Sequence, residues 1–273
     1  MKSVELAQKM TESLWDEGLQ FFTTRVHKAG LPKQGKAEPG DSLAQVRELI
    51  GYLPWYTECV KDDPKYAAAW LQLADPEGFD APFGMTTAER RHPLFRHNWK
   101  PVKPTCEWDG AIWPFATSQT LTALINLEKH YPETAALVPD SLFFYHLKKY
   151  TESMHRRGRP YVGEYLDETD GQWLWGDHQR SRYYNHSTYC DLIITGLCGI
   201  TPASDNRLTI HSLLPAEQWN YFCLDGLRYH DHRLTVIWDA DGMRYHQGRG
   251  LTVLVDGKQK GHRADLGELT IEL

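Results

Sequence analysis

The 273-residue chain lacks the paired cysteines that a disulfide scaffold or a zinc ribbon requires. Its five cysteines are odd in number and scattered, and no two of them form a C-x-x-C pair. This pattern favours buried free thiols in a reducing compartment, and we expect a cytoplasmic protein. His230-Asp231-His232 has no third ligand nearby in the sequence, so we interpret it as a solvated hairpin turn. Neither a metal nor another cofactor is expected.

Long apolar runs and an excess of positive charge are also missing. No segment approaches the ~20 apolar residues of a membrane span, and residues 1–28 contain no apolar core of a signal peptide. A net charge of −6 argues against nucleic acid as a ligand, because nucleic acid requires a basic face, and gives no reason to expect a membrane surface. The chain is instead rich in aromatic residues, with 10 Trp and 14 Tyr. Such an excess marks a stacking surface, although packing between helices accounts for some of it.

The first two thirds of the chain are predicted to be mainly helical. Apolar residues at helical spacing, prolines at first helical positions and glycines at helix ends predict helices over 3–26, 42–52, 64–74, 114–131, 139–154 and 187–199. Residues 77–112 show no period, and we interpret them as a long loop on a helical scaffold.

After Gly199 the apolar pattern changes to the period of two that is typical of strands. Strands are predicted over 207–211, 219–224, 233–238, 251–255 and 268–273. Asp241-Gly242 and Asp256-Gly257 supply turn signals between them. The sequence therefore predicts helical hairpins over residues 1–199, followed by a small antiparallel β-domain, of sandwich type, over residues 200–273.

An acidic loop lies between the last two predicted helices. Residues 161–189 combine carboxylates, tryptophans and arginines, and three glycines interrupt any regular helix: Glu164, Asp167, Glu168, Asp170, Trp173, Trp175, Arg180, Arg182, Gly163, Gly171 and Gly176. Carboxylates, flat indole faces and forked donors are the groups that hold a sugar ring and cleave its glycosidic bond. A solvated loop whose tryptophans cover a core has the same composition, so the flanking motifs must decide.

Two motifs resemble those of the six-hairpin glycosidases, which include trehalases, processing α-glucosidases and mannosylglycerate hydrolases. The first is Trp108-Asp109-Gly110-Ala111-Ile112-Trp113, which leads into a helix. The second is Glu164-Tyr165 with Asp167-Glu168-Thr169-Asp170-Gly171, followed by Tyr184-Asn185-His186-Ser187. The segment after Gly199 is similar to the C-terminal β-domains of related glycosidases. The resemblance implies an (α/α)6 toroid, of which this chain shows about half the helices, so it corresponds to a partial barrel and its C-terminal half.

The resemblance also implies roles for individual residues. Glu164 is expected to be the general base, and a sugar is expected to contact Trp108, Asp109, Trp113, Tyr165, Trp173, Trp175, Tyr184 and His186. Other roles stay open for some of them. Glu164 is alternatively an exposed loop acid, Asp109 a cap of the helix at Pro114, and Arg180 an ion-pair partner of the acidic loop.

These observations favour a glycoside hydrolase that acts by inversion on a small α-linked glucoside or mannoside. Inversion needs a second carboxyl as general acid, and the resemblance implies an Asp-bearing loop in the first half of the barrel for that role. We therefore expect a complementary N-terminal half-barrel chain, or a homo-oligomer, as partner. The alternatives are a glycoside phosphorylase of the same architecture and a non-catalytic, carbohydrate-binding or partner-dependent fragment.

Overall fold

The computed structural model describes residues 2–27, 41–97, 108–184 and 188–273. Contacts between Cα atoms divide the chain into two compact units, Met1–Ser187 and Thr188–Leu273. The helical segment that precedes Gly199 therefore lies in the second unit.

The helices of the described residues are mostly short. They are α1 (Lys2–Leu14), α2 (Leu53–Tyr56), α3 (Ala67–Leu71), α4 (Pro114–His130), α5 (Pro132–Ala135), α6 (Leu142–Ser153) and α7 (Tyr189–Asp191). Two 3₁₀ turns, Leu49–Tyr52 and Pro64–Tyr66, lead into α2 and α3, and the π-helical segment Leu192–Leu197 continues α7. Proline stands in the first turn of α2, α4 and α5, where a missing N–H removes no helical hydrogen bond.

Helices α4 and α6 confirm the sequence prediction for their parts of the chain. Their inward faces bury the residues that recur at helical spacing: Leu121, Leu124, Ile125, Phe143, Leu147 and Tyr150. A hydrogen bond of 3.3 Å between the hydroxyls of Ser118 and Tyr150 joins the two helices. Each fully buried side chain of this kind contributes about 1.5–3 kcal/mol through the hydrophobic effect.

The helix predicted over residues 3–26 is wrong beyond Leu14. The chain turns there into a hairpin of β1 (Trp15–Asp16) and β2 (Phe21–Phe22). The carboxylate of Asp16 accepts hydrogen bonds of 2.9 Å from the backbone N–H groups of Gly18 and Leu19, which fixes the turn. Three aromatic side chains of the hairpin, Trp15, Phe21 and Phe22, are buried as a result, and this packing outweighs helix propensity.

The helix predicted over residues 42–52 is also wrong for most of its length. Strand β4 (Ser42–Leu43) pairs with β3 (Arg25–Val26), and Glu48 is extended, with φ −132° and ψ 149°. A buried ion pair of 2.6 Å joins Arg47 to Glu89, a residue 42 positions away. Helical structure therefore begins only at Leu49, because the preceding segment is held by tertiary contacts that a local pattern does not reveal.

Three further two-stranded hairpins lie in the described residues of the first unit. They pair β5 (Asp80–Ala81) with β6 (Gly84–Met85), β7 (His155–Arg156) with β8 (Arg159–Pro160), and β9 (Tyr165–Leu166) with β10 (Trp173–Leu174). The first of them lies in the segment that was predicted to be a long loop, whose residues 98–107 lie outside the described residues. The other two lie in and beside the acidic loop.

The second unit contains the predicted antiparallel sheets. Its strands are β11 (Ile200–Thr201), β12 (Arg207–Ile210), β13 (Tyr221–Tyr229), β14 (His232–Asp239), β15 (Gly250–Val255), β16 (Lys258–Arg263) and β17 (Leu269–Glu272). Strands β11, β12 and β17 form one sheet in that order, and β13 to β16 form the other. The C-terminal sheet domain is thus confirmed. Strand β16 was missed because its sequence, K-Q-K-G-H-R, has no apolar alternation.

Two of the three predicted turns of this sheet are tight hairpin turns, whereas Asp241-Gly242 lies in the longer connection between β14 and β15. Asp256 and Gly257, with φ of 51° and 77°, join β15 to β16, and His230 and Asp231, with φ of 44° and 65°, join β13 to β14. His230-Asp231-His232 is therefore a hairpin turn, as predicted. Among the helices of the described residues, none is both long enough and apolar enough to cross a membrane.

Candidate active site

Backbone hydrogen bonds connect four separate segments of the first unit into one ladder. Glu48 forms an antiparallel bridge with Ala88, and the N–H of Thr87 donates to the carbonyl of Ala111 at 3.3 Å. Ile112 and Leu166 then exchange two hydrogen bonds of 3.0 Å. The Thr87 hydroxyl reinforces the middle step by donating to the Ala111 carbonyl at 3.0 Å. The ladder thereby holds both glycosidase-like motifs, residues 108–113 and 164–171, on one support.

Three aromatic rings stack beside this ladder. The ring centroids of Trp108 and Trp113 lie 4.1 Å apart with an interplanar angle of 20°, and those of Trp113 and Tyr165 lie 4.9 Å apart at 10°. We call these three residues the aromatic column. Trp113 and Tyr165 are buried, whereas Trp108 is 44% exposed, so only the Trp108 end of the column has substantial surface for a ligand.

Glu164 lies directly before β9 and is only 3% exposed. The guanidinium of Arg180 binds both of its carboxylate oxygens, with Nη2 at 2.9 Å from Oε1 and at 3.2 Å from Oε2. The backbone N–H of Glu164 donates to the hydroxyl of buried Ser181 at 3.2 Å. The carboxylate is therefore held in one orientation by a charged donor.

Arg180 itself is placed by a tight turn. The N–H of His178 donates to the carbonyl of Trp175 at 2.8 Å, and the N–H of Ser181 donates to that of His178 at 3.0 Å. The guanidinium carbon of Arg180 lies 5.7 Å from the ring centroid of Trp175. The side chain of Arg180 is 47% exposed, so this arginine joins buried Glu164 to the molecular surface.

A second ionic cluster holds the acidic loop through Arg96. The guanidinium of Arg96 lies 3.2 Å from the Asp167 carboxylate through Nη2 and 3.2 Å from the Glu168 carboxylate through Nε. The backbone of Arg96 has a φ of 56°, and its backbone N–H donates to the Asp109 carbonyl at 2.8 Å. Burial raises the pKa of Glu168 above its usual value, and Arg96 offsets only part of this effect. Burial acts in the same direction on Asp167, but hydrogen bonds from Thr169 and Asp170 and the charge of Arg96 together outweigh it and leave the Asp167 pKa below its usual value. Arg96 therefore ties the two motifs together.

The structure brings several predicted sugar-binding residues together and separates others. Trp108, Trp113 and Tyr165 form the column, whereas Trp173 is 6% exposed and packs in a small core against Ile112, Tyr161 and Leu166. The Trp173 indole N–H donates to the His155 carbonyl at 3.0 Å.

The other predicted contacts lie along the loop and around the first motif. Trp175 is half-buried under Arg180, Tyr184 is half-buried at the end of the turn, and His186 lies outside the described residues. Asp109 is half-buried, and the helix that follows begins with Trp113 as its N-cap and with no side-chain cap. The cap role considered for Asp109 is therefore wrong, whereas its contact with sugar stays a prediction.

A cavity of about 520 Å³ at the Trp108 end of the column was not predicted from the sequence. Its lining residues are Thr24, Glu48, Leu49, Ile50, Leu53, Thr87, Trp108, Phe115, Ala116 and Gln119. We call it the Glu48 cavity. The sequence pattern placed Glu48 within a predicted helix, where a glutamate is an ordinary surface residue, so no local signal identified it.

Metal chemistry has no candidate centre in the described residues. Across residues 2–27, 41–97, 108–184 and 188–273, no group of three or more His, Cys, Asp or Glu side chains is arranged to hold a metal ion.

Two family models match the chain. Residues 1–187, more than half of the 273 residues, match the mannosylglycerate hydrolase MGH1-like glycoside hydrolase domain. The chain belongs to this glycoside hydrolase family. Residues 203–261 match the C-terminal domain of glycosyl hydrolase family 65. The resemblance to the six-hairpin glycosidases and their C-terminal β-domains is thereby confirmed, and it makes this MGH1-like chain a member of a glycosidase family.

A solved structure is also similar to the MGH1-like chain. A protein named "Sialidase" has a TM-score of 0.90 and 48% sequence identity, over 100% of this chain and 24% of the other. The present chain thus spans about a quarter of the length of that relative. It is one of 17 chains of solved structure that match.

Proposed function

We propose that the MGH1-like chain contributes the base-bearing part of a glycosidase that hydrolyses a small α-linked glucoside or mannoside with inversion. The observation that carries this proposal is the buried Glu164 carboxylate, held by Arg180 and adjacent in sequence to Tyr165 of the aromatic column. In the proposed reaction Glu164 takes a proton from a water molecule, which attacks the anomeric carbon on the face opposite the leaving group.

The pairing with Arg180 is compatible with this role. Arg180 contacts both carboxylate oxygens and so fixes the plane of the Glu164 carboxylate. The aromatic column supports the proposal further, because its exposed end, Trp108, provides a rigid apolar face for the C–H side of a pyranose.

The reaction also needs a general acid, about 6.5–9.5 Å from the base in an inverting enzyme. We propose that a complementary half-barrel, from another chain or from a second copy, completes an (α/α)6 toroid and supplies this acid. The supporting observation is that this chain spans 24% of the solved relative. Full turnover by a monomer of this chain alone would contradict the partner proposal without affecting the role of Glu164.

The experiment that tests the hydrolase proposal follows the anomeric proton of the released sugar by NMR during the first minutes of reaction. Inversion predicts that an α-linked glucoside or mannoside first releases the β-anomer. First release of the α-anomer would contradict the inverting mechanism.

The glycoside phosphorylase alternative has one observation in its favour, which is the family 65 type of the C-terminal domain. In that reaction phosphate replaces the attacking water and the product is a sugar 1-phosphate. Turnover that continues at the same rate in phosphate-free buffer would exclude the phosphorylase. Strict dependence on phosphate would contradict the hydrolase proposal and favour the phosphorylase.

A further inference from the structure

The Glu48 cavity combines an aromatic surface with a held carboxyl group. Trp108 stacks on Trp113 through one face and meets the edge of Phe115 at 6.5 Å with an interplanar angle of 89°. It nevertheless remains 44% exposed and lines the cavity. An indole that is fixed on one side and accessible on the other offers a preformed stacking surface.

Glu48 is fixed by its neighbours on both sides. Its backbone is paired with Ala88, and the preceding residue, Arg47, forms the buried ion pair with Glu89. Arg47 also donates to the carbonyl of Leu19 at 3.0 Å through Nε and at 2.7 Å through Nη2. A carboxyl group on such a support needs little reordering when it binds a ligand.

The Glu48 cavity is lined by both polar and apolar groups, and the Glu48 carboxyl is one of the polar ones. Burial raises its pKa above the usual value, although the charge of His92 and a hydrogen bond with the Thr24 side chain offset part of this effect. Gln119 and Thr87 add neutral polar groups to the cavity, and Leu49 and Leu53 add aliphatic surface. A ligand that matches this lining carries both hydroxyls and C–H surface.

We propose that the Glu48 cavity is a sugar subsite, in which Trp108 stacks on a hexopyranose ring and Glu48 hydrogen-bonds its hydroxyls. A pyranose is the ligand class that has both an apolar face and a hydroxyl edge. A volume of about 520 Å³ lies in the range of ~300–1,000 Å³ that is typical of small-ligand sites. This inference rests on the proposed function, since the bound ring belongs to the glycoside that Glu164 acts on.

The proposed function assigns the general acid to the complementary half-barrel, so we assign Glu48 to substrate binding. Three steps of the ladder separate the strand of Glu48 from the strand of Leu166, which amounts to about 14 Å between their backbones at ~4.8 Å a step. The ring in the Glu48 cavity is accordingly bound by a segment that does not carry the base, and Glu48 is a determinant of specificity.

Binding of methyl α-D-mannopyranoside and methyl α-D-glucopyranoside, measured by calorimetry on the full chain, tests the subsite. We expect Glu48→Gln to weaken binding of the preferred glycoside about 3–10-fold, and Trp108→Ala about 10-fold or more. Glu133→Gln, an exposed acid on α5, serves as the matched control and should bind as the wild type does. Thermal unfolding of each variant separates loss of the site from loss of the fold.

The result that would overturn the subsite is unchanged affinity in both Glu48→Gln and Trp108→Ala, or an equal loss in Glu133→Gln. An oligomer of the chain that Glu48→Gln dissociates would also overturn it, because the cavity would then be a protein interface. A loss of kcat with unchanged KM in Glu48→Gln would instead assign Glu48 to the chemical step and would end the subsite proposal. Glu164→Gln should keep the wild-type affinity. Full turnover by that variant together with weak binding by Glu48→Gln would therefore reject the proposed function and leave the subsite standing.

Discussion

Glu164 and Arg180 form a two-point ion pair in which the carboxylate is buried and the guanidinium is half exposed. Removal of one partner of such a pair costs more free energy than removal of the other. Removal of the arginine leaves a buried charge without its main counter-charge, whereas removal of the glutamate leaves a cation that water can reach. The main effect of the pair is therefore to hold the buried Glu164 carboxylate, and its contribution to the stability of the loop is smaller.

The first prediction follows from this asymmetry. Arg180→Gln should lower the free energy of unfolding by about 1–2 kcal/mol, less than the ~3–5 kcal/mol of a fully buried pair, because Arg180 is half exposed. Urea unfolding measures this change. Arg182→Gln, which alters an exposed neighbour, is the matched control. The double variant Glu164→Gln/Arg180→Gln should recover most of the loss, and a double variant less stable than Arg180→Gln alone would argue against the pair as described.

The two tryptophans of the acidic loop should behave differently. Trp173→Ala removes a buried ring from the core formed with Tyr161 and Leu166 and should cost about 3–5 kcal/mol of stability. Trp175→Ala removes a half-buried ring from beneath Arg180 and should cost about 1 kcal/mol or less. Denaturant midpoints and slopes of the two variants test this difference. Equal costs would show that the rings share one environment.

A third prediction concerns pH and Glu128 on α4. Burial, with a smaller contribution from the charge of Asp140, raises the pKa of Glu128 from 4.5 to about 7. Between these two values the folded state binds more protons than the unfolded state, so this residue makes stability fall as pH rises from 4.5 to about 7. Glu128→Gln stays neutral and should be more stable than the wild type by roughly 1–3 kcal/mol at pH 8 and equally stable at pH 4.

The comparison of variant with wild type is essential in this measurement. Burial lowers the pKa of His146 to about 4, and that residue makes stability rise with pH over an overlapping range. Its contribution is the same in both proteins and cancels in their difference. Thermal unfolding at pH 4, 6 and 8 gives that difference directly. A difference that does not grow with pH would show that Glu128 ionises normally in the folded protein.

The sequence predicted those parts of the fold whose information is local. Helices α4 and α6 carry complete apolar faces and clear start signals at Pro114 and near Pro139, and the strands after Gly199 alternate with a period of two. The hairpin after Leu14 could not be predicted in this way. Its two strands are only two residues long, and they form because three aromatic side chains find partners elsewhere in the first unit.

The sequence predicted those residues of the candidate site that lie within a motif. It missed those that only tertiary contacts bring to the site. Glu164 and the aromatic column lie within the two motifs. The ladder that joins them also includes Glu48 and Thr87, which lie far away in the sequence and in no motif. Hydrogen bonds between segments up to 54 residues apart decide which side chains share a site, and periodicity within a segment carries no information about them.

The central claim is that Glu164 is the base, and the turnover of Glu164→Gln by the complete active assembly tests it most directly. We expect kcat to fall about 10²–10⁴-fold while KM stays near the wild-type value, because glutamine cannot accept the proton of the attacking water. Azide, a nucleophile that needs no base, should restore turnover and yield a glycosyl azide of inverted configuration. A Glu164→Gln variant that hydrolyses the substrate at the wild-type rate would contradict the account.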